Sequence, residues 1–96
     1  MSEQPLSDVK CTVRVASPLR SYTGGASTVD ADGATLSDVL ADLDRRFPGI
    51  RFRMIDEQDR IRRHIRLFVN TREANALSEP VAVSDTVHLI CALSGG

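Results

Sequence analysis

Ninety-six residues, 42% of them apolar and 26% charged, suffice for one compact domain and fall short of two ordinary cores. No stretch reaches the apolar length of a bilayer span, and 12 Lys and Arg against 13 Asp and Glu leave a net charge of -1, with no overall pull toward nucleic acid or anionic lipid. Residues 1–8 lack the cationic start and apolar run of a secretory signal; they are expected to be a flexible N-terminus on a cytoplasmic domain spanning 9–92.

From Val9 to Ala16 the chain alternates, with Val9, Cys11, Val13 and Val15 on one side, which predicts a half-buried strand. Ser17-Pro18 breaks it, and Thr23-Gly24-Gly25 carries turn residues leading to a second, antiparallel strand near 27–31. Thr35, three residues before Asp38, predicts a helix start at Leu36. Leu36, Val39, Leu40, Leu43 and Phe47 recur at helical spacing, with Asp38, Asp42, Asp44 and Arg45 on the remaining circumference, and Pro48-Gly49 ends the helix.

Residues 50–63 mix Ile50, Phe52, Met54, Ile55 and Ile61 with many charges and fit a loop containing a short helical turn. Eight of the twelve cations fall between Arg45 and Arg66, opposed within that stretch only by Asp56, Glu57 and Asp59; a solvated surface and a docking patch both fit. A third strand is predicted over 65–69, with Arg66 and Phe68 outward, followed by a turn at Asn70-Thr71. Ala76-Leu77 and Val81 to Val83 leave room for a short edge strand or an irregular segment around Pro80. The last strand, 86–92, is apolar on both sides and so is expected at the centre of the sheet. The order of elements gives an α+β fold, a mixed sheet of four or five strands with one main helix on one face.

Cys11 and Cys91 match no metal or redox spacing and are assigned to the core; if their strands are adjacent, the two could be neighbours. His64 and His88 have no carboxylate or cysteine at ligand or triad spacing, and Gly24-Gly25 lacks the following Lys of a phosphate loop. No metal and no bound cofactor is expected. The chain runs from its last strand into Leu93-Ser94-Gly95-Gly96. Glycine lacks the Cβ that would widen the chain, so this tail suits threading through a narrow channel, and four residues extend about 13 Å. By itself, such an end fits a frayed terminus as well as a reactive one.

The closing segment, from Thr86 to Gly96, resembles that of ubiquitin-like proteins. Together with Leu19-Arg20-Ser21-Tyr22-Thr23-Gly24-Gly25, Thr35-Leu36, Phe68-Val69-Asn70 and Ser84-Asp85-Thr86-Val87, it makes residues 9–96 similar to the MoaD/ThiS family of sulfur carriers, most like those of the CysO type. The resemblance implies a β-grasp (ubiquitin-like) fold and a carrier that is not itself an enzyme. A MoeB/ThiF-like adenylyltransferase would use ATP to activate the Gly96 carboxylate, and a thiocarboxylate would then pass sulfur to a biosynthetic enzyme of cysteine, thio-natural-product, molybdopterin or thiamine type. Gly95, Ser94 and Leu93 would thread the partner's channel as a flexible tail over 93–96. Phe68, His88 and Ile90 would form the partner face if the third and fifth strands pair, unless a loop covers them.

Arg20 and Tyr22 are weaker interface candidates, since a turn aromatic also closes a core edge. The free carrier is expected to be a monomer with no membrane or nucleic-acid partner. Two other readings stand beside it. One is a protein modifier joined through Gly96, although Ala92 and Ser94 occupy positions where ubiquitin carries arginines. The other is a nucleic-acid module using the arginines, which lack interleaved aromatics.

Overall fold

In the computed structural model, residues 10–92 are described; 1–9 and 93–96 lie outside that part, and with them fall Val9, the expected flexible N-terminus and the expected tail. Strand β1 (Lys10–Val15) is followed by a single 3-10 turn (Ser17–Leu19), β2 (Thr28–Asp32), helix α1 (Leu36–Arg46), short helix α2 (Ile50–Met54), β3 (Ile65–Val69), β4 (Arg72–Ala74) and β5 (Thr86–Cys91). The sheet order is β2-β1-β5-β3-β4, with β1 and β5 parallel and the other pairs antiparallel. This is the expected β-grasp arrangement, with five strands, and β5 is central as its two-sided apolar pattern requires.

Period-two alternation puts Cys11, Val13, Val15, Leu67, Val69, Val87 and Leu89 on the inner face, where α1 covers them. Helix α1 contributes Leu36, Val39, Leu40 and Leu43, all fully buried. Each such side chain stabilises by about 1.5–3 kcal/mol before the entropy of ordering is subtracted. The Thr35 hydroxyl accepts from the Asp38 N–H at 3.2 Å, the cap that the sequence predicts. The next N–H groups are satisfied from a distance: Leu36 donates to Glu79 O at 3.0 Å and Ser37 to Leu77 O at 2.9 Å. Ahead of the helix, a Cβ on Gly33 would lie 2.6 Å from the Val39 nitrogen, so only glycine lets β2 turn this tightly into α1.

Four expectations need correction or refinement. The short edge strand is Arg72–Ala74, not part of 76–83, because the two-residue turn at Asn70-Thr71 folds the chain straight back along β3. Residues 77–81 instead lie across the start of α1: Val81 N–H donates to Ala34 O at 2.9 Å, and Thr35 bridges Pro80, which has no N–H for a ladder. Asp42, assigned by helical spacing to the solvent side, is buried. Its carboxylate accepts from the Asp32 N–H at 3.0 Å and pairs with Arg46 at 3.0 Å and with Arg45, tying α1 to β2. Cys11 is buried, whereas Cys91 is only half-buried. The two are not neighbours, since the parallel register Val15↔Leu89 sets them six positions apart along the strands, about 20 Å.

Residues 50–63 hold the short helical turn expected, α2, with Ile50, Met54 and Ile55 in the core and Phe52 left 58% exposed. Asp44 holds the start of this turn by accepting from Gly49 N–H at 3.1 Å and Arg51 N–H at 3.2 Å. Asp56 organises the loop that follows, accepting from Gln58 and Arg60 N–H groups at 2.9 and 3.0 Å. These bonds hold the carboxyl of Asp56 below its usual range.

Candidate functional site at the end of the central strand

Strand β5 is hydrogen-bonded on both sides, and this fixes where the chain leaves the sheet. Ala16 N–H donates to Leu89 O at 3.1 Å from the β1 side, and Ala92 N–H donates to His64 O at 2.7 Å from the β3 side. The point of departure thus lies between the turn after β1 and the segment before β3. Leu93, Ser94, Gly95 and Gly96, the expected threading tail and sulfur attachment point, lie outside the described residues.

The outward face of the sheet carries the expected partner cluster. Phe68 on β3 stands directly opposite His88 on β5, and Ile90 is one pair further along, opposite Arg66. Phe68 and His88 are half-buried and Ile90 is 40% exposed, so among the described residues no loop closes over this group. Cross-strand neighbours on one face are close enough to act as one surface. On the other side, the parallel register brings Arg14 beside His88, a neighbour legible only once β1 and β5 are known to pair.

A shallow cavity of about 400 Å³ borders this face where β5 ends, lined by Arg14, Pro18, Arg20, His88, Ile90 and Cys91 among others. Arg20 is held there by its Nε donating to Val15 O at 2.9 Å. Tyr22 turns the other way: it packs on the core and reaches within 3.2 Å of where a Gly49 Cβ would stand, so it closes a core edge. The loop Tyr22-Thr23-Gly24-Gly25 has a structural task. Gly25 N–H donates to Arg20 O at 2.8 Å, the Thr23 hydroxyl donates to Ala26 O at 2.8 Å, and Gly24 and Gly25 take φ of 66° and 91°, values that favour glycine.

Burial pushes the Cys91 thiol above its usual range, with the nearby Arg53 pulling the other way, so it rests as a thiol at neutral pH. Among the described residues no group of three His, Cys, Asp or Glu side chains is placed to hold a metal, and no helix is long and apolar enough to cross a membrane. What the arrangement offers is a central strand, hydrogen-bonded along both edges, that ends beside an aromatic, imidazole and aliphatic cluster. Sequence reasoning missed a second feature at this end, in which Phe52, Arg53, Arg62 and His64 line one hollow. The outward setting of Phe52 was not legible in the irregular segment that carries it.

Comparison with known proteins gives the same region a lineage. The ThiS family matches residues 13–96. The sulfur carrier protein CysO of Mycobacterium bovis is 33% identical over 90 residues, covering 88% of this chain and 97% of that protein. In the crystal structure of the Amycolatopsis orientalis BexX/CysO complex, the matching chain superposes with a TM-score of 0.83 at 32% identity, over 90% of this chain and 99% of that one. Small archaeal modifier protein 1 of Haloferax volcanii superposes with a TM-score of 0.73 at 26% identity, over 84% and 94% of the two chains.

Proposed function

The chain belongs to the ThiS family, and on that premise we propose that it is a sulfur carrier, a covalent cosubstrate whose reactive group is the Gly96 carboxylate. The observation that carries this reading is the family match extending through residue 96, onto a diglycine that follows a strand tethered as far as Leu89 on the β1 side and Ala92 on the β3 side. A MoeB/ThiF-like adenylyltransferase binds the ATP. Attack of the carboxylate on the α-phosphate releases pyrophosphate and leaves an acyl adenylate. Sulfide then displaces AMP to give the thiocarboxylate directly, whereas a persulfide donor displaces AMP to give an acyl disulfide, which a thiol of the donor or partner cleaves to the thiocarboxylate while itself forming a disulfide. One difficult substitution is thus split into easier steps. The carrier itself holds no cofactor.

Within this scheme the domain's part is mechanical and recognitional. The sheet presents the strand end, Leu93, Ser94 and Gly95 pass through the partner's channel, and Phe68, His88 and Ile90 meet the partner outside it. The recipient is a biosynthetic enzyme, with cysteine or thio-natural-product synthesis favoured by the likeness to CysO proteins. The carrier works in the cytoplasm and is monomeric between encounters.

The test is intact mass spectrometry after incubation with ATP, the MoeB/ThiF-like enzyme of the same genome and a sulfur donor, with a thioacid-selective label to distinguish sulfur exchange from oxidation. The full chain gains one sulfur for oxygen at Gly96, and a chain lacking Gly96 gains none while unfolding as before. Equal loading of the shortened chain would sink the reading. The likeness to small archaeal modifier protein 1 favours a second activity, conjugation through Gly96 to lysines. A Gly-Gly remnant on cellular lysines that depends on this gene would establish it.

A further inference from the structure

The arginines between Arg45 and Arg66 divide into two groups in the folded chain. Arg45 and Arg46 pair with Asp42, Arg51 with Asp59, Arg60 with Asp56 and Arg66 with Glu73. Among the described residues, Arg53, Arg62 and Arg63 have no carboxylate within ion-pair distance. Arg53 and Arg62 line a hollow of about 270 Å³ with Phe52 and His64, and Arg63 lines the neighbouring one beside Arg62 and His64, where the Asp56 carboxylate is taken up by Arg60. Arg62 is preset there: its Nε donates to Phe52 O at 2.8 Å, and its guanidinium lies 4.5 Å from the centre of the Phe52 ring.

This cationic and aromatic hollow adjoins the strand exit. His64 O is the acceptor that anchors Ala92, and Arg53 is close enough to Cys91 to act on its thiol. Four residues beyond Ala92 span only about 13 Å, so an enzyme that takes Gly96 into a buried site must press the mouth of its channel against this rim. Pressing unpaired guanidinium groups against a neutral or basic surface would strip their water without replacement. The mouth that fits is acidic.

We propose that Phe52, Arg53, Arg62, Arg63 and His64 form a docking surface for an acidic channel rim on the adenylating enzyme. The inference rests on the sulfur-carrier reading above. The adenylating enzyme is assigned because it meets the tail first, as a carboxylate approaching the phosphates of ATP, and contacts at the base of the tail hold that end in place against the repulsion of like charges. A nucleic acid fits less well, since affinity for it is built mainly from many phosphate contacts, and only three such cations gather here in a chain of net charge -1.

The experiment is ATP–pyrophosphate exchange by the purified MoeB/ThiF-like enzyme of the same genome, with the full-length carrier varied as substrate at low and moderate salt. Arg53→Glu with Arg63→Glu, both at exposed positions, raises the carrier's KM roughly tenfold at low salt, with kcat and thermal unfolding unchanged and the difference shrinking as salt rises. Arg72→Glu, at the far end of the sheet and paired with Glu79, leaves KM alone. An unchanged KM in the double variant, or an equal rise in Arg72→Glu, overturns the docking surface while the carrier reading stands. A defect confined to sulfur delivery assigns the surface to the acceptor and overturns the inference, as does RNA binding by the wild-type chain that the double variant loses. No exchange with the wild-type chain overturns the carrier reading and this inference together.

Discussion

The Asn70 side-chain amide donates to the Asp85 carboxylate at 3.0 Å, while the Asn70 Oδ1 accepts from the Thr86 N–H at 3.0 Å. Two segments that carry the family resemblance, Phe68-Val69-Asn70 and Ser84-Asp85-Thr86-Val87, are thus one structural device. It locks the start of β5 to the end of β3, reinforced by Asn70 N–H donating to Thr86 O at 2.7 Å and Ala82 N–H donating to Asp85 at 2.8 Å. Asn70 also turns the chain at φ 58°, a value that asparagine tolerates better than most residues.

Asn70→Ala removes two side-chain hydrogen bonds and strains the turn. A loss of about 1–2 kcal/mol in urea unfolding is expected, while Asn70→Gly recovers the backbone part only. Equal stability of the alanine variant and the wild type would show that the Asn70–Asp85 clasp is idle.

Asp42 ties α1 to β2 and makes stability depend on acid. Burial raises its pKa, but the Asp32 N–H donor and the Arg46 and Arg45 guanidinium groups outweigh that effect and hold it below the ordinary carboxylate value. A lowered folded pKa means that the stabilisation is fully present above the unfolded value, near 3.9, and is lost as pH falls through the folded one. Asp42→Asn is therefore expected to cost roughly 1–3 kcal/mol at pH 7 and less at an acid pH below the unfolded value. Denaturant melts at both pH values measure it, and a gap that stays constant would contradict the assignment.

The two thiols differ in access and share a direction of shift. Burial raises both, most directly for Cys11, which lies under α1, while Cys91 is half-exposed at the strand end. Iodoacetamide at pH 8 is expected to label Cys91 slowly and Cys11 only after unfolding, with no intramolecular disulfide under mild oxidation. Peptide mass mapping reads all three outcomes, and a Cys11–Cys91 disulfide would contradict the parallel β1–β5 register.

Ile90 is the exposed apolar member of the outward cluster, and its replacement separates docking from folding. Ile90→Asp is expected to leave thermal unfolding nearly unchanged and to weaken capture of the tail by a partner enzyme roughly tenfold or more, read as KM for the carrier. Phe68→Ala, half-buried between His88 and Glu73, is expected to lower stability as well. An Ile90→Asp carrier with wild-type KM in both loading and delivery would remove this face from the interface.

Strands β1, β3 and β5, the cap at Thr35 and the stripe from Leu36 to Leu43 were all legible, because burial against one face imposes a period on side chains wherever the chain is regular. The role proposed for the diglycine rests on residue type and family likeness alone, since residues 93–96 lie outside the described part. The edge strand Arg72–Ala74 was not: three residues with one inward alanine carry no period, and only the tight turn at Asn70 and pairing to β3 make them a strand. Asp42 was misread because helical spacing separates the two faces of α1 but does not reveal that β2 brings a backbone N–H against the helix flank. The same limit hid the split among the arginines. Sequence gives a side chain its charge; whether a carboxylate stands opposite it is decided by contacts between residues far apart in the chain, and those contacts left Arg53, Arg62 and Arg63 gathered where the central strand ends.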